Sequence, residues 1–245
     1  MEPTSRPPAA APGGGIVPAE PRQRWRVRFR RRADAPALAQ REQLAAWEAA
    51  LESSGLPLVG LDLPVPRPRI VLAAPLAVGM AADGELIDLF LATRLTGAEV
   101  RAAVADSLPT GHELVDLHDV WLGEPALSGR VAAADYRIGI GTMAGTPDRA
   151  TLTLAAARLI GARTLLRTRD KGGRPVEYDL RPLVAAIEVL DTPRDAIQLR
   201  IRTRFDPERG VGRPEEVVAA LSELIGDPLV VAWIVRERLV LGDEA

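Results

Sequence analysis

The chain has 245 residues and a formal net charge of −2, from 31 basic and 33 acidic residues. This balance provides no overall attraction to nucleic acid or to anionic membranes, so binding to a polyanion would have to come from a local patch. The sequence contains no cysteine and only two histidines, which excludes disulfides, thiolate nucleophiles and cysteine-held zinc or iron–sulfur clusters. We therefore expect neither a metal site nor a cofactor.

The first segment, residues 1–21, is rich in proline, glycine and alanine, a composition typical of disordered chain. It lacks the basic start and the apolar run of a signal peptide, and no later segment reaches the length of about 18 apolar residues that a membrane-spanning helix needs. The sequence predicts a disordered tail on a cytoplasmic protein without a membrane partner.

The stretch RQRWRVRFRRR, residues 22–32, alternates arginine with apolar residues. This period of two predicts a strand that buries Trp25, Val27 and Phe29 and turns its arginines to the other face. A helix is expected at 36–54, where Pro36 suits the first turn. The elements expected after it are strands at 58–62, 69–74, 84–92 and 112–122, with a second helix after Thr96, where Glu99 has capping-box spacing.

The second half nearly repeats this order. It predicts a strand at 131–140, a helix at 147–160, a strand at 163–169, an insertion at 170–191, a strand at 196–204, a helix at 214–225 and a strand at 228–240. The predicted fold class is α+β, with two tandem ferredoxin-like (βαββαβ) units that each form an antiparallel sheet. The units are expected at 22–125 and 126–245, with the seam near 123–130.

Two arginine ladders are the first candidate site. Arg26 and Arg28 lie in the first strand, and Arg200 and Arg202 lie in the corresponding pattern QLRIRTRF. In a ferredoxin-like sheet both strands are central, and both ladders would lie on faces that the unit's own helices leave open. Such faces could bind the phosphates of RNA or of another anionic substrate.

The alternative is that carboxylates on neighbouring strands neutralise the ladders. The predicted registers place Asp88, Asp116 and His118 on the same outward face as Arg26 and Arg28. Under this alternative the arginines stabilise the sheet and are not available to a ligand, and we favour it over the binding function.

The segment RTRDKGGRPVEYDLRP, residues 167–182, is the densest polar cluster of the sequence. Two glycines predict a hairpin tip whose cationic groups could bind an anion or a partner's backbone. The alternative is a solvated hairpin with an Arg–Asp bond at its exit. The candidate residues are Lys171, Arg174, Tyr178, Asp179 and Arg181.

The two histidines offer no metal site by spacing. His112 and His118 are predicted on one face of one strand, roughly 20 Å apart at the rise of a strand. They are too far apart to share a metal ion, and no nucleophile stands beside them in the sequence.

Three segments resemble the radical SAM-linked protein family, a bacterial domain of unknown function found beside, or fused to, cobalamin-binding radical SAM enzymes. They are SGLPLVGLDLPVPRPRIVLAAPLAVGMAADGELIDLFL at 54–91, LPTGHELVDLHDVWLGEPAL at 108–127 and KGGRPVEYDLRPLV at 171–184. The resemblance implies association with a radical SAM enzyme and no particular reaction. Because radical SAM chemistry needs three cysteines, this chain could serve only as the accessory.

The sequence matches the family's pattern at some positions and differs from it at others. The positions that match are Pro75, Leu76, Gly79, Glu85, Asp88 and the segment 178–182. The family's Ser-His-Leu-Asp is replaced by residues 39–42, AQRE, and its Asn-Pro-His-Pro-Arg by residues 65–69, VPRPR. Both family histidines are therefore absent. Arg67 and Arg69, within residues 65–69, are further candidates for anion binding.

The leading functional hypothesis is a non-catalytic accessory protein of a radical SAM enzyme that presents RNA or another anionic substrate. A second hypothesis is an RNA-processing or RNA-modifying enzyme of tandem ferredoxin-like fold, which would need a catalytic Asp88 or Asp179 in a cleft with a basic rim. A third is a protein-interaction scaffold.

Overall fold

The computed structural model describes residues 19–142, 147–170, 172–190 and 197–242, so the predicted tail lies largely outside the described residues. Within these ranges the fold is mixed α+β, with a large, mostly antiparallel sheet and four helices. The elements are β1 (Gln23–Arg31), α1 (Gln40–Glu52), β2 (Ile70–Leu72), β3 (Ala81–Leu91), α2 (Gly97–Asp106), β4 (His112–Val120), β5 (Val131–Thr142), α3 (Arg149–Gly161), β6 (Leu166–Asp170), β7 (Pro175–Asp179), β8 (Val184–Leu190), β9 (Ile197–Asp206), β10 (Gly210–Val211), α4 (Pro214–Ile225) and β11 (Leu229–Leu241).

Nine of the described strands form one sheet in the order β10-β9-β5-β11-β3-β1-β4, with β2 paired to β3 and β8 paired to β9. The N-terminal half therefore has the order β4-β1-β3-β2, and the C-terminal half has the order β11-β5-β9-β8. The two halves join where β11 runs parallel to β3, through Val235 opposite Ala81 and Arg236 opposite Ala82. Separate sheets were expected, and the structure has a single continuous one.

The core of the N-terminal half lies between the sheet and helices α1 and α2. The alternation of β1 buries Trp25, Val27 and Phe29 as predicted. Trp47 of α1 packs against Phe29 in a tilted arrangement, with ring centroids 4.7 Å apart. Helix α2 starts at the predicted capping box, in which the side chain of Thr96 accepts from the backbone of Glu99.

The core of the C-terminal half lies under helices α3 and α4, which pack on β5, β8, β9 and β11. Asp148 caps the first turn of α3 through the backbone N–H of Thr151. Helix α4 begins at Pro214 and ends before Gly226, whose φ of 76° favours glycine. Both helices match the prediction to within two residues.

Three predicted elements differ from the structure. The strand expected at 58–62 is reduced to one bridge between Leu58 and Leu91, because Gly60, with φ of 94°, turns the chain back onto Arg67. Helix α1 starts at Gln40, after Pro36, whose carbonyl accepts a hydrogen bond from Arg31. The strand expected at 163–169 is β6 of a separate hairpin with β7.

The main sheet takes β8 in place of that strand. This element lies inside the predicted insertion 170–191 and pairs with β9 from Val184 to Leu190. The insertion is therefore a hairpin followed by a strand of the main sheet. None of the helices in the described ranges has the length and apolarity needed to cross a bilayer.

Candidate functional site

Both arginine ladders lie on the open face, which we define as the face of the nine-stranded sheet opposite the four helices. A chain of ion pairs runs along this face from β1 to β9. Its links are Arg30–Asp83 at 3.2 Å, Asp83–Arg137 at 3.4 Å, Arg137–Glu237 at 3.4 Å and Glu237–Arg200 at 3.1 Å. The ladders thus share one continuous surface, and acidic side chains bridge them.

In the ladder of β1, Arg24 and Arg26 both form ion pairs with Asp88 of β3. The Nε atom of Arg24 donates to Asp88 Oδ2 at 2.8 Å, and the Nε atom of Arg26 donates to Asp88 Oδ1 at 2.8 Å. All three side chains are buried, with 2%, 4% and 0% of their surface exposed. Burial alone would lower the pKa of Arg26, but the Asp88 hydrogen bonds and charge raise it above its usual value. Arg26 is therefore unavailable to a phosphate.

The registers predicted for this ladder are correct. Arg26 lies between Asp88 of β3 and His118 of β4, and Arg28 lies opposite Asp116. Asp116 pairs with Arg101 of α2 at 3.2 Å, and a backbone hydrogen bond from Leu117 is the main reason that its pKa is low.

The ladder of β9 has its own carboxylates. Arg202 donates to Asp135 Oδ1 at 2.6 Å, and Arg238 donates to the second oxygen of the same carboxylate at 2.9 Å. Burial would raise the pKa of Asp135, but these two hydrogen bonds lower it. Arg200 donates to Glu237 and to Glu188, each at 3.1 Å.

Arg28 is the exception on β1. Its side chain is exposed, and no acidic group pairs with it within the described ranges. It lies in a cleft of about 420 Å³ on the open face, above the junction of the two halves, which we call the seam cleft. The polar residues that line this cleft are Arg26, Arg28, Asp116, His118, Glu124, Arg130, Glu237 and Arg238.

The two histidines are separated by a β-bulge. Between Arg28 and Phe29 the register of β4 shifts by one residue, which exchanges the two faces of the strand. His118 lies on the open face, whereas His112 packs against Phe29 and Trp47 with ring centroids 5.6 Å apart. The prediction that both share one face is wrong, and burial lowers the pKa of His112.

Arg67 and Arg69 lie apart from both ladders, on the segment that leads into β2. Arg67 donates to Glu48 of α1 at 2.7 Å. The guanidinium of Arg69 covers the ring of Phe90 at 4.3 Å, and the guanidinium of Arg24 lies 5.4 Å from the same ring. Phe90 is buried between them, so it provides no exposed stacking surface for a base.

The candidate residues Asp179 and Arg181 of the hairpin form hydrogen bonds within the protein. Asp179 accepts from the backbone N–H groups of Leu165 at 2.7 Å and Arg181 at 3.0 Å. The guanidinium of Arg181 donates to the carbonyl of Ile160 at the end of α3 and to that of Val184. The expected Arg–Asp bond is thus replaced by bonds from each residue to the backbone.

The rest of the hairpin contacts α4 or solvent. Tyr178 donates a hydrogen bond to Glu216, and the guanidinium of Arg169 lies 4.8 Å from the tyrosine ring. Burial raises the pKa of Glu216. Arg174 is exposed and lacks an ion pair in the described part of the chain, and Lys171 lies outside the described residues.

The sequence did not reveal a free strand edge on β11. The first six residues, Leu229–Ile234, pair with β5 on one side, whereas β3 pairs only from Val235 onward. Within the described ranges nothing pairs with the other side of this segment, which we call the β11 edge. Val230, Val231 and Trp233 are 44%, 37% and 39% exposed, and Ala232 is exposed as well. Four consecutive exposed apolar residues are typical of an interaction surface.

Two solved structures are weakly similar to this chain. A crystal structure of a Cbf5-Nop10-Gar1 complex has 10% identity and a TM-score of 0.48, and the match covers 88% of this chain and 48% of that one. A candidate glycine cleavage system transcriptional repressor has 10% identity and a TM-score of 0.24, covering 88% of this chain and 98% of that one. The chain thus spans about half of the first protein's length, and both scores are too low to support an argument.

No curated protein matches the sequence. Residues 24–211 match a family described as "Uncharacterized protein conserved in bacteria (DUF2344)". This match includes both arginine ladders, the seam cleft residues of the N-terminal half and the hairpin. The chain belongs to the DUF2344 family of uncharacterized bacterial proteins.

Proposed function

We propose that this chain is a non-catalytic, cytoplasmic accessory protein that docks onto a radical SAM enzyme. The three segments that resemble the radical SAM-linked family support the partner. The chain has no cysteine, so the iron–sulfur site that such chemistry needs would belong to the partner.

The β11 edge is the observation that carries the docking proposal. Unpaired N–H and C=O groups along an edge are a template for an extended segment of another chain. Exposed Val231 and Trp233 would supply apolar contacts to that segment, and neither a charge nor a proline interrupts residues 229–234.

Substituting Val231 with lysine tests this docking. The change places an ammonium group on the edge, and burying it in an interface would cost more than about 1 kcal/mol. We expect V231K to weaken co-purification of a co-expressed radical SAM enzyme by about fivefold or more. The matched control is L154K, since Leu154 of α3 is also apolar and 54% exposed. Equal retention of the enzyme by both variants, or no retention by the wild type, would refute the proposal.

A second proposal concerns the substrate. We infer that the seam cleft binds an anionic group, such as an RNA phosphate, at Arg28. The unpaired, exposed state of Arg28 supports this proposal, since Arg26, Arg200 and Arg202 are held by carboxylates. The binding surface would then be one cleft and not the two full ladders.

Alanine at Arg28 is expected to weaken binding of a short single-stranded RNA. Losing one phosphate contact should lower the slope of log K against log salt by about 0.7. The matched control is R30A, which removes an equal charge from the same strand at an arginine that Asp83 and Glu113 already pair. Indistinguishable salt slopes for R28A and the wild type would leave the interaction scaffold as the better hypothesis.

The finer fold class is also a proposal. The strand orders β4-β1-β3-β2 and β11-β5-β9-β8 correspond to the order 4-1-3-2 expected for a ferredoxin-like unit, and they support two such units in tandem. The RNA-enzyme hypothesis receives less support. Its candidate acids, Asp88 and Asp179, are held by buried arginines and by backbone N–H groups, respectively.

A further inference from the structure

A second cleft, unrelated to the ladders, lies at the end of the sheet where β1 starts and β4 ends. We call it the Trp121 cleft; its volume is about 400 Å³, within the range of roughly 300–1,000 Å³ that small-molecule sites occupy. The residues that line it are Arg22, Gln23, Arg94, Asp119, Val120, Trp121 and Leu122.

Trp121 is held in an exposed position. Its side chain is 76% exposed, whereas Trp25 and Trp47 are buried in the core. The indole lies directly on the backbone of Gly123, because a Cβ at position 123 would come within 2.5 Å of two ring carbons. Any larger residue there would displace the ring. The chain thus positions a large aromatic surface toward solvent.

The charges of the Trp121 cleft differ from those of the open face. Arg22 and Arg94 are both exposed, and neither has an ion-pair partner in the described part of the chain. The cleft contains one carboxylate, Asp119, which accepts a hydrogen bond from Gln23 at 2.9 Å. Gln23 is fixed in turn by two bonds to the backbone of Leu95. The wall is therefore ordered, and the net charge at the cleft is positive.

We propose that the Trp121 cleft binds a nucleotide. The nucleobase would stack on the indole of Trp121, and the phosphate would contact Arg22 and Arg94. Aromatic rings next to unpaired arginines are the combination by which proteins hold bases and phosphates together. The ligand could be a free nucleotide or one residue of a single-stranded RNA.

Calorimetric titration of the full chain with AMP, adenosine and inorganic phosphate tests the site. We expect AMP to bind more tightly than adenosine or phosphate alone, since only AMP offers both groups. W121A should weaken AMP binding by about tenfold, and R22A/R94A should weaken it and flatten its salt dependence. The control W233A removes the other exposed tryptophan, on β11, and should leave AMP affinity unchanged.

A second variant, G123A, tests the position of the indole in a protein that remains folded. G123A should displace the indole and weaken AMP binding while the far-ultraviolet circular dichroism stays that of the wild type. Titration with a short single-stranded RNA shows whether the ligand is a free nucleotide or part of a strand. If the RNA binds markedly more tightly than AMP and W121A weakens both to the same extent, the ligand is a strand. No binding of AMP or RNA at low salt would overturn the proposal, as would equal affinities of W121A and the wild type. R28A should leave AMP affinity unchanged, so this test is independent of the seam cleft.

Discussion

Alanine at Asp88 is expected to destabilise the protein by about 3–5 kcal/mol. It leaves the buried guanidinium of Arg24 without a counter-ion among the described residues, and it leaves buried Arg26 with Glu124 alone, at 3.3 Å. Arg24 and Arg26 are 2% and 4% exposed and both depend on this carboxylate. Urea denaturation monitored by circular dichroism measures the change in the free energy of unfolding.

The control for Asp88 is D116A on the same face. Asp116 is 60% exposed and pairs with a half-exposed arginine, so its loss should change the free energy of unfolding by less than about 0.5 kcal/mol. Equal and small effects of D88A and D116A would mean that the β1 ladder is less buried in solution than in the structure.

Methionine at Arg236 is expected to cost a similar amount, about 3–5 kcal/mol, since it strands the carboxylate of Glu85 inside the protein. The two side chains are 3% and 5% exposed, and Arg236 Nε donates to Glu85 at 2.6 Å. Arg236 also donates to the carbonyl of Pro75 at 2.8 Å, and it lies opposite the buried Tyr136 of β5. The measurement is again the urea midpoint and slope.

The double variant E85L/R236M shows whether R236M destabilises the protein through the unpaired charge of Glu85 or through lost packing. Replacing both members of a buried ion pair by apolar residues is often close to neutral, so the double variant should be more stable than R236M alone. A double variant that is less stable than R236M would show that the pair itself, and not the stranded charge, stabilises the junction of the two halves.

The same buried contacts involve positions at which the sequence resembles the radical SAM-linked family. Pro75, Glu85 and Asp88 all hold buried arginines through a carbonyl or a carboxylate. Asp179 and Arg181 bind backbone groups around the hairpin. In this chain these matching positions therefore have structural roles, and the exposed cations of the two clefts lie outside that set.

Much of the fold was predictable because strands with one buried face carry a strong period of two. The alternation at 22–32 identified the buried residues of β1, and the register arithmetic correctly placed Asp88 and Asp116 beside Arg26 and Arg28. The helices were recognisable from capping residues such as Thr96 and from Pro214 at a first position.

The missed features depend on events that periodicity does not encode. One extra residue in β4 moved His112 to the helix side, and the strand pairing of β8 depends on a distant partner, β9. The single sheet rests on two residue pairs between β3 and β11. The exposure of Trp121 could not be predicted from the sequence, because it depends on the turn that follows β4 and on contact with Gly123.

The shared use of β3 by both halves has a mechanical consequence. Its first residues, Ala81 and Ala82, pair with β11, and residues 87–89 pair with β2, so one strand contacts both halves. Two bodies that are joined only by a linker can swivel about a hinge, whereas bodies that share a strand resist torsion as one plate. The seam cleft spans β1, β3 and β11, so we expect the binding proposed there to require little reorganisation of the protein.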